Sequence, residues 1–225
     1  MQGVVAEIDI PPFLTLNELL LIPSQRQEPP FFVILDSIED PRNFGAIVRT
    51  AEAAGVHGII FPSHRSAGIG PAVFKTSSGA LEHIPLSQVV NIKHSIELFT
   101  EQGISIIGTA GEATQSIWSV DLTVPVAVVL GSEEKGLKRT VRERCDAVVT
   151  IPMKGKIDSL NVSVAAGIVI FEVLRQRMIN KGKAAAPWRS TLTEREENFI
   201  PFQELSPSVV QKNFYSARGL QPLAE

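Results

Sequence analysis

Short apolar runs without polar alternation recur along the middle of this sequence and restrict its fold more than any other feature. Strands that are covered on both faces have this pattern, because neither face presents its side chains to water. Segments with helical spacing separate the runs, so the sequence predicts an α/β fold with a mainly parallel sheet and helices on both faces. The runs are FFVILDSI (31–38), VHGIIFP (56–62), ISIIGTA (104–110), VPVAVVLG (124–131) and AVVTIP (147–152).

The same pattern divides the 225 residues into one domain and two appendages. Residues 1–29 contain the proline stretches PP, IPS and EPP, which interrupt regular secondary structure, and are expected to form an N-terminal extension. Residues 30–180 are expected to form the domain. Residues 181–225 open with a Lys/Ala/Pro stretch and are expected to form a C-terminal tail. Besides the helix that follows the first run, helices are expected near 71–80, 92–102, 138–144 and 160–179.

Composition removes several classes of protein. No apolar run reaches the length of a membrane span and the start lacks a secretory pattern, so a cytoplasmic protein without a membrane partner is expected. The single Cys145 makes no intrachain disulfide, and the scattered histidines predict no metal site. A net charge of −3 argues mildly against a nucleic-acid partner, although a cluster of Lys and Arg at 135–144 leaves room for a local basic surface.

Glycines follow several of the predicted strands, where ligands bind in open α/β sheets. GSEEKGLK has the glycine spacing of a phosphate loop, but Leu137 stands where that motif needs lysine, and Glu133 and Glu134 would repel phosphate. GxSxG is absent, and no GxGxxG follows a strand. A loop with carboxylates favours a neutral or cationic ligand. A sulfonium nucleoside such as S-adenosylmethionine is one candidate, which composition alone does not single out.

Two further segments each allow two interpretations. In IPMKGKIDSLNVSVAAGIVIFEVLRQR, Ser159 or Asn161 can cap a helix, and the small residues of SVAAG indicate either close backbone approach to a ligand or a tightly packed core helix.

In EDPRNFGAIVRTAEAAG, Arg42 and Arg49 lie opposite an apolar stripe. They form either a solvated face with an Arg49–Glu52 pair or a guanidinium fork aimed at phosphate. The stripe is Phe44, Ile47, Val48, Ala51 and Ala54.

Taken together, three of these segments resemble the SpoU (TrmH) family of RNA ribose 2′-O-methyltransferases, which belongs to the knotted SPOUT superfamily. DPRNFGAIVRTAEAAGVHGIIF is similar to the first family motif, VVLGSEEKGL to the second and IPMKGKIDSLNVSVAAGI to the third. The order and spacing also agree, and the likeness extends over residues 2–178. It is greatest to RlmB-type members, which methylate a guanosine ribose in 23S ribosomal RNA.

The resemblance implies a deep C-terminal trefoil knot, a homodimer whose site draws on both chains, and S-adenosylmethionine as the cofactor. Arg49 would bind an RNA phosphate and stabilise the developing alkoxide, because a guanidinium does not give up its proton as a base would require. Arg42 and Lys135 are expected to contact RNA. The implied catalytic residues are Asn43, Arg49, Glu133, Ser159 and Asn161, and the implied cofactor pocket contains Thr109, Ala110, Gly111, Leu130, Gly131, Ile151, Met153 and Leu160.

Residues 1–29 would then be the remnant of a linker to a missing RNA-binding domain, and the tail after Lys181 has no counterpart in the pattern. A transfer-RNA ribose methyltransferase is the first alternative. A catalytically silent, knotted RNA-binding module is the second, and Asn43, Arg49, Glu133 and Asn161 argue against it. A generic doubly wound nucleotide-binding protein is the third.

Overall fold

Seven strands form a single sheet in the computed structural model, which describes residues 12–133, 135–157 and 159–181. Every neighbouring pair is parallel, and the order is β3-β2-β1-β6-β4-β7-β5. The five apolar runs supply five of the strands, as predicted. The strands are β1 Phe31–Asp36, β2 Gly58–Pro62, β3 Leu86–Val89, β4 Ser105–Thr109, β5 Gln115–Ser116, β6 Val126–Gly131 and β7 Ala147–Thr150.

Six α-helices accompany the sheet in this part of the chain, and the predicted ones are present with shifted ends. α3 stops before residue 80 because Ser78 takes a left-handed backbone conformation (φ 50°). α6 begins at Val162, directly after Asn161. No helix among the described residues is long and apolar enough to cross a membrane. The helices are α1 Leu16–Arg26, α2 Pro41–Ala53, α3 Pro71–Ser77, α4 Ile92–Glu101, α5 Arg139–Arg142 and α6 Val162–Lys181.

Helix α1 was not foreseen, since it lies in the segment that the sequence assigns to the extension. A capping box begins it: the Thr15 hydroxyl accepts a hydrogen bond from Glu18 N, and the Glu18 carboxylate accepts one from Thr15 N. Pro23, which reads as a helix breaker, lies inside the helix. Residues 1–11 of the expected extension and 182–225 of the expected tail lie outside the described residues.

Two hydrophobic clusters cover the two faces of the sheet, which explains why its strands lack polar alternation. Along β1, Phe31, Val33 and Leu35 belong to one cluster, and Phe32 and Ile34 to the other. Helices α2, α3 and α6 contribute to the first cluster, and α1, α4 and α5 to the second. The predicted stripe of α2 is buried in the first cluster.

The connections leave two adjacent strands in opposite directions. From β1 the chain passes through α2 to β2 on one side, and from β6 it passes through α5 to β7 on the other. Such a topological switch point opens a crevice at the carboxyl ends of the two strands, where ligands bind in open α/β sheets. The loops at this crevice contain residues 37–40 and 132–138.

Candidate active site

A cleft of about 570 Å³ lies at the switch point between β1 and β6. Its buried lining includes Asn43 and Val162, and Glu133 lies beside them. Its exposed lining includes Arg65 and Lys135. Glu39 and Glu133 are also exposed in the lining, so the accessible surface of the cleft carries charges of both signs.

Residues from all three sequence motifs meet in this cleft around one carboxylate oxygen. Glu133 Oε1 accepts hydrogen bonds from Asn43 Nδ2 at 2.9 Å, from Asn161 Nδ2 at 2.7 Å and from Val162 N at 3.2 Å. Asn161 Nδ2 also lies 3.1 Å from Asn43 Oδ1, which accepts from it. We call Asn43, Glu133 and Asn161 the amide–carboxylate cluster. Glu133 Oε2 has no hydrogen-bond partner within the described ranges.

Helix ends orient the two amides of the cluster. Asn161 Oδ1 caps α6 by accepting from Ser163 N at 2.9 Å, so its Nδ2 must point the other way, towards Glu133. Asn43 lies in the first turn of α2, which Asp40 caps by accepting from Arg42 N at 2.8 Å. Of the two caps that the sequence allowed, Ser159 and Asn161, the structure uses Asn161.

Glycines shape the loop that carries Glu133. A Cβ atom on Gly131 would collide with the backbone of Gly136, because the loop folds back on the end of β6. Ser132 and Gly136 exchange two backbone hydrogen bonds of 3.1 and 2.9 Å, and Gly136 has a φ of 60°. This tight closure differs from a phosphate loop, as the sequence indicates, and it aims the Glu133 side chain at the two asparagines.

A buried carboxylate ties the same loop to β1. Asp36, only 1% exposed, accepts from Lys138 Nζ at 2.7 Å and from Lys138 N at 3.0 Å. Lys138 Nζ also lies 2.5 Å from Ser37 Oγ. Sequence reasoning missed this pair, because Asp36 reads only as a polar residue near the end of an apolar run.

Arg49 and Ser159 do not join the amide–carboxylate cluster. Arg49 is exposed on α2, and its Nη1 donates to Ser78 Oγ at 3.3 Å. Among the described residues it makes no ion pair with Glu52, the partner that the solvated-face interpretation required. Ser159 is exposed, and no hydrogen bond of its side chain is present in the part of the chain that the structure describes.

The residues implied for the cofactor lie where three neighbouring strands end. β4 lies between β6 and β7 in the sheet, so these carboxyl ends are adjacent. Ala110 N donates to Val149 O at 3.0 Å, and Thr150 Oγ1 donates to Gly111 O at 3.1 Å, which ties the turn after β4 to β7. The residues concerned are Thr109 at the end of β4 with Ala110 and Gly111 after it, Leu130 and Gly131 at the end of β6, and Ile151, Met153 and Leu160 after β7.

Most basic side chains of the run at 135–144 are paired with carboxylates, so fewer of them can bind RNA than the composition suggests. Arg139 pairs with Glu143 at 2.7 Å, Arg142 pairs with Glu112, and Arg144 pairs with Glu97 at 3.1 Å. Lys138 is held by Asp36. Only Lys135 of this run keeps a side chain without an ion pair within residues 12–181 as described, and it lines the cleft.

Of the two residues expected to contact RNA, Arg42 lies outside the cleft lining. Its side chain is exposed at the first turn of α2, 3.5 Å from the Asp40 carboxylate. Arg65, which the sequence did not single out, lines the cleft from the loop after β2. No local pattern marks Arg65, since only the position of its loop beside β1 brings it to the cleft.

Fold and site together define an α/β protein with a polar ligand crevice at a switch point and glycine-bearing strand ends beside it. The model of the SpoU rRNA Methylase family matches residues 30–171. The chain belongs to this family, which confirms the resemblance drawn from the three motifs.

Individual relatives agree with the family assignment. The chain is 44% identical over 182 residues to the 23S rRNA (guanosine-2′-O-)-methyltransferase RlmB of Pseudomonas putida, covering 80% of this chain and 73% of that protein. The structure matches the SpoU methyltransferase AviRb of Streptomyces viridochromogenes, solved with AdoMet, with a TM-score of 0.63 and 31% identity over 67% of this chain and 59% of that one. It matches the TrmH/SpoU tRNA modifying enzyme of A. aeolicus with a TM-score of 0.66 and 27% identity over 92% and 97%.

Proposed function

We propose that this protein transfers a methyl group from S-adenosylmethionine to the ribose 2′-hydroxyl of a guanosine in 23S ribosomal RNA. The observation that carries the proposal is the amide–carboxylate cluster, in which residues 90 and 118 positions apart converge in a nucleotide-sized cleft. The RlmB relatives support the choice of substrate, since the chain is 44% identical to one of them over most of its length. A transfer-RNA ribose is the second candidate, because the A. aeolicus enzyme matches nearly the whole chain.

The residues at the ends of β4, β6 and β7 suit S-adenosylmethionine. Met153 and Leu160 are 38% and 39% exposed, and such apolar side chains give an adenine ring a surface to cover. The bare backbone of Gly111 allows a ligand to come close. Gly131 instead leaves room for Gly136 of its own loop. When bound, S-adenosylmethionine supplies a methyl group that its sulfonium already activates, so no covalent enzyme intermediate is required.

The remaining work falls to this chain's own side chains. Glu133 uses one oxygen to hold Asn43 and Asn161, and its Oε2 is available to accept a hydrogen bond from the ribose hydroxyl. Arg49 binds the adjacent phosphate with its planar fork and stabilises negative charge on the attacking oxygen. Ser159, exposed beside the site, would contact the substrate.

The proposed enzyme is a homodimer with a deep trefoil knot that acts in the cytoplasm. Two observations support the dimer: Arg49 stays outside the cluster within one chain, and α6 exposes an apolar face. Val164, Phe171 and Met178, which are spaced seven residues apart, lie on that face. The knot is supported by the path of the chain, since β7 pairs between β4 and β5 whereas the following α6 returns to pack on α2. Its ribosomal RNA substrate implies the cytoplasm.

Methylation of defined RNAs tests the proposal. The protein is incubated with methyl-labelled S-adenosylmethionine and in vitro transcripts of 23S rRNA and of transfer RNAs, and ribose methylation is mapped by alkaline-hydrolysis protection. We expect one guanosine of 23S rRNA to be protected, and Asn43→Ala to abolish the protection while the protein still folds. Label in transfer RNA alone would favour the second candidate. No label in either RNA, with calorimetric binding of the donor intact, would support the silent RNA-binding module instead.

A further inference from the structure

We infer that Arg65 and Lys135 form a clamp for the RNA phosphodiester backbone at the rim of the switch-point cleft, with the ribose directed inward to Glu133. The inference rests on the proposed function. It adds Arg65 to the residues that bind the substrate and pairs it with Lys135, which the sequence already indicated as an RNA contact. Arg65 lies in the loop after β2 and Lys135 in the loop after β6. These strands flank β1 on its two sides, so the two cations approach the cleft from different directions.

The loop of Arg65 is anchored, although the side chain is exposed. Ser63 N donates to Val89 O at 2.8 Å, and Ala67 N donates to Ile38 O at 2.8 Å, so both ends of the loop are held to the sheet region. Between them, Arg65 takes a left-handed conformation with a φ of 56°. This conformation is unfavourable for a residue with a Cβ, and such outliers cluster at ligand sites.

The side chains of Arg65 and Ser66 have no polar partner among the described residues. Arg65 forms no ion pair within the described ranges, whereas Arg139, Arg142 and Arg144 each have a glutamate. The neighbouring Ser66 Oγ is shielded from solvent, and no described residue hydrogen bonds to it. A guanidinium on an anchored loop beside a polar cleft is suited to bidentate contact with a phosphate.

The charges of the cleft determine which way a nucleotide enters. Glu39, Asp40 and Glu133 line the cleft, so a phosphate placed beside these carboxylates would be repelled. The neutral ribose with its hydroxyls suits the interior, where the amide–carboxylate cluster lies. The phosphates are then left at the rim, beside Arg65 and Lys135.

The test is the substitution Arg65→Asn, since asparagine tolerates the left-handed conformation but removes the charge. Binding of a 23S rRNA fragment is measured without the methyl donor at several salt concentrations, and KM values for RNA and for S-adenosylmethionine are measured in turnover. We expect Kd and KM for RNA to rise about tenfold and the log Kd–log salt slope to fall by about 0.7, the loss of one phosphate contact to a single strand. The KM for S-adenosylmethionine stays unchanged.

The matched control is Arg139→Asn, which removes another exposed arginine, one outside the cleft lining, and should leave RNA binding unchanged. Lys135→Ala should repeat the Arg65→Asn phenotype. Wild-type Kd and salt slope for both Arg65→Asn and Lys135→Ala would overturn the clamp, even if the protein methylates rRNA. If the wild-type protein fails to methylate RNA but its binding still depends on Arg65, the proposed function fails and the clamp stands. If Arg139→Asn weakened RNA binding as much as Arg65→Asn does, this would also overturn the clamp, because the loss would then come from the reduced positive charge of the whole protein and not from the cleft.

Discussion

Each member of the amide–carboxylate cluster uses its two polar atoms for different purposes. Asn161 caps α6 with Oδ1 and reaches Glu133 with Nδ2, so a single side chain sets both the start of a helix and the position of a carboxylate. Glu133 in turn receives three donors on one oxygen. Only Asn43 of the three is buried, so the cluster holds Glu133 and Asn161 in place by direct hydrogen bonds at the edge of the core.

Arg49 gives the sharpest prediction at the scale of single residues. Arg49→Lys keeps the positive charge but loses the planar fork, so we expect the methyl-transfer rate to fall by about 100-fold or more. Calorimetric affinity for S-adenosylmethionine should stay within about twofold. Single-turnover assays on 23S rRNA measure the effect, with Arg139→Lys as the control that keeps its rate. Near-normal turnover of Arg49→Lys with donor binding intact would refute the role assigned to the guanidinium.

At the scale of secondary-structure elements, the close packing of α2 on α3 sets the position of Arg49. α2 carries both Asn43 and Arg49, and α3 leads into Ser78, which accepts from Arg49. The helices approach closely because Gly45 has no side chain. An added Cβ would collide with Thr76 Oγ1 and lie 2.9 Å from Val73 O. The position of Arg49 therefore depends on a glycine one turn earlier in the same helix.

Gly45→Ala tests this dependence. Alanine raises helix propensity by about 1 kcal/mol, but overpacking against the backbone of α3 costs about 1–3 kcal/mol, so we expect a net loss of stability. Urea unfolding measures it. Gly167→Ala is the matched control within α6, where the new Cβ would lie 3.8 Å from Thr50 Cγ2, an ordinary contact. A variant at position 45 as stable as the one at position 167 would contradict the close approach.

Long-range hydrogen bonds join the two ends of the domain at the scale of the whole molecule. Arg177, near the end of α6, donates to the carbonyl oxygens of Pro29, Pro30, Leu122 and Val124 at 2.6–3.2 Å, and burial lowers its pKa to about 10. These contacts hold α6 at the entrances of β1 and β6.

A buried histidine makes stability depend on pH. His57 Nδ1 accepts from Phe31 N at 3.0 Å, and burial lowers the pKa of His57 from 6.5 to about 4. The unfolded chain therefore binds a proton at a higher pH than the folded chain does. The contribution of neutral His57 to the free energy of unfolding is therefore fully present above pH 6.5. It is lost as the pH falls to about 4, by up to about 3 kcal/mol.

Urea unfolding of wild type and His57→Asn between pH 7 and pH 4 checks this dependence. Asparagine keeps an acceptor for Phe31 N and does not titrate, so the stability of the variant should fall less steeply over this range. Equal slopes for the two proteins would show that other groups control the loss.

The exposed face of α6 gives a prediction that depends on the proposed dimer. Phe171 is 47% exposed, and Phe171→Glu places a charge on that face, which should dissociate the dimer and reduce methyl transfer. Sedimentation equilibrium measures the association. Val90→Glu, at an apolar residue that is 87% exposed on a different part of the surface, should leave it intact. A wild-type protein that is monomeric at micromolar concentration would exclude the dimer.

Local pattern was sufficient for five of the strands and the buried stripe of α2, and it narrowed the cap of α6 to Ser159 or Asn161, because periodicity and capping depend on neighbours within a few residues. The short β3 and β5 and the Pro-containing α1 escaped it, since packing on the sheet decides them. Counts of charge along the sequence also do not show that, in the run at 135–144, three arginines are paired with glutamates from α4, from the residue after α5 and from the turn after β4. The meeting of Asn43 with Glu133, the anchoring of Lys138 by Asp36 and the arrival of Arg65 at the cleft were decided by tertiary structure alone. Those contacts depend on strand order at the switch point, which no local spacing specifies.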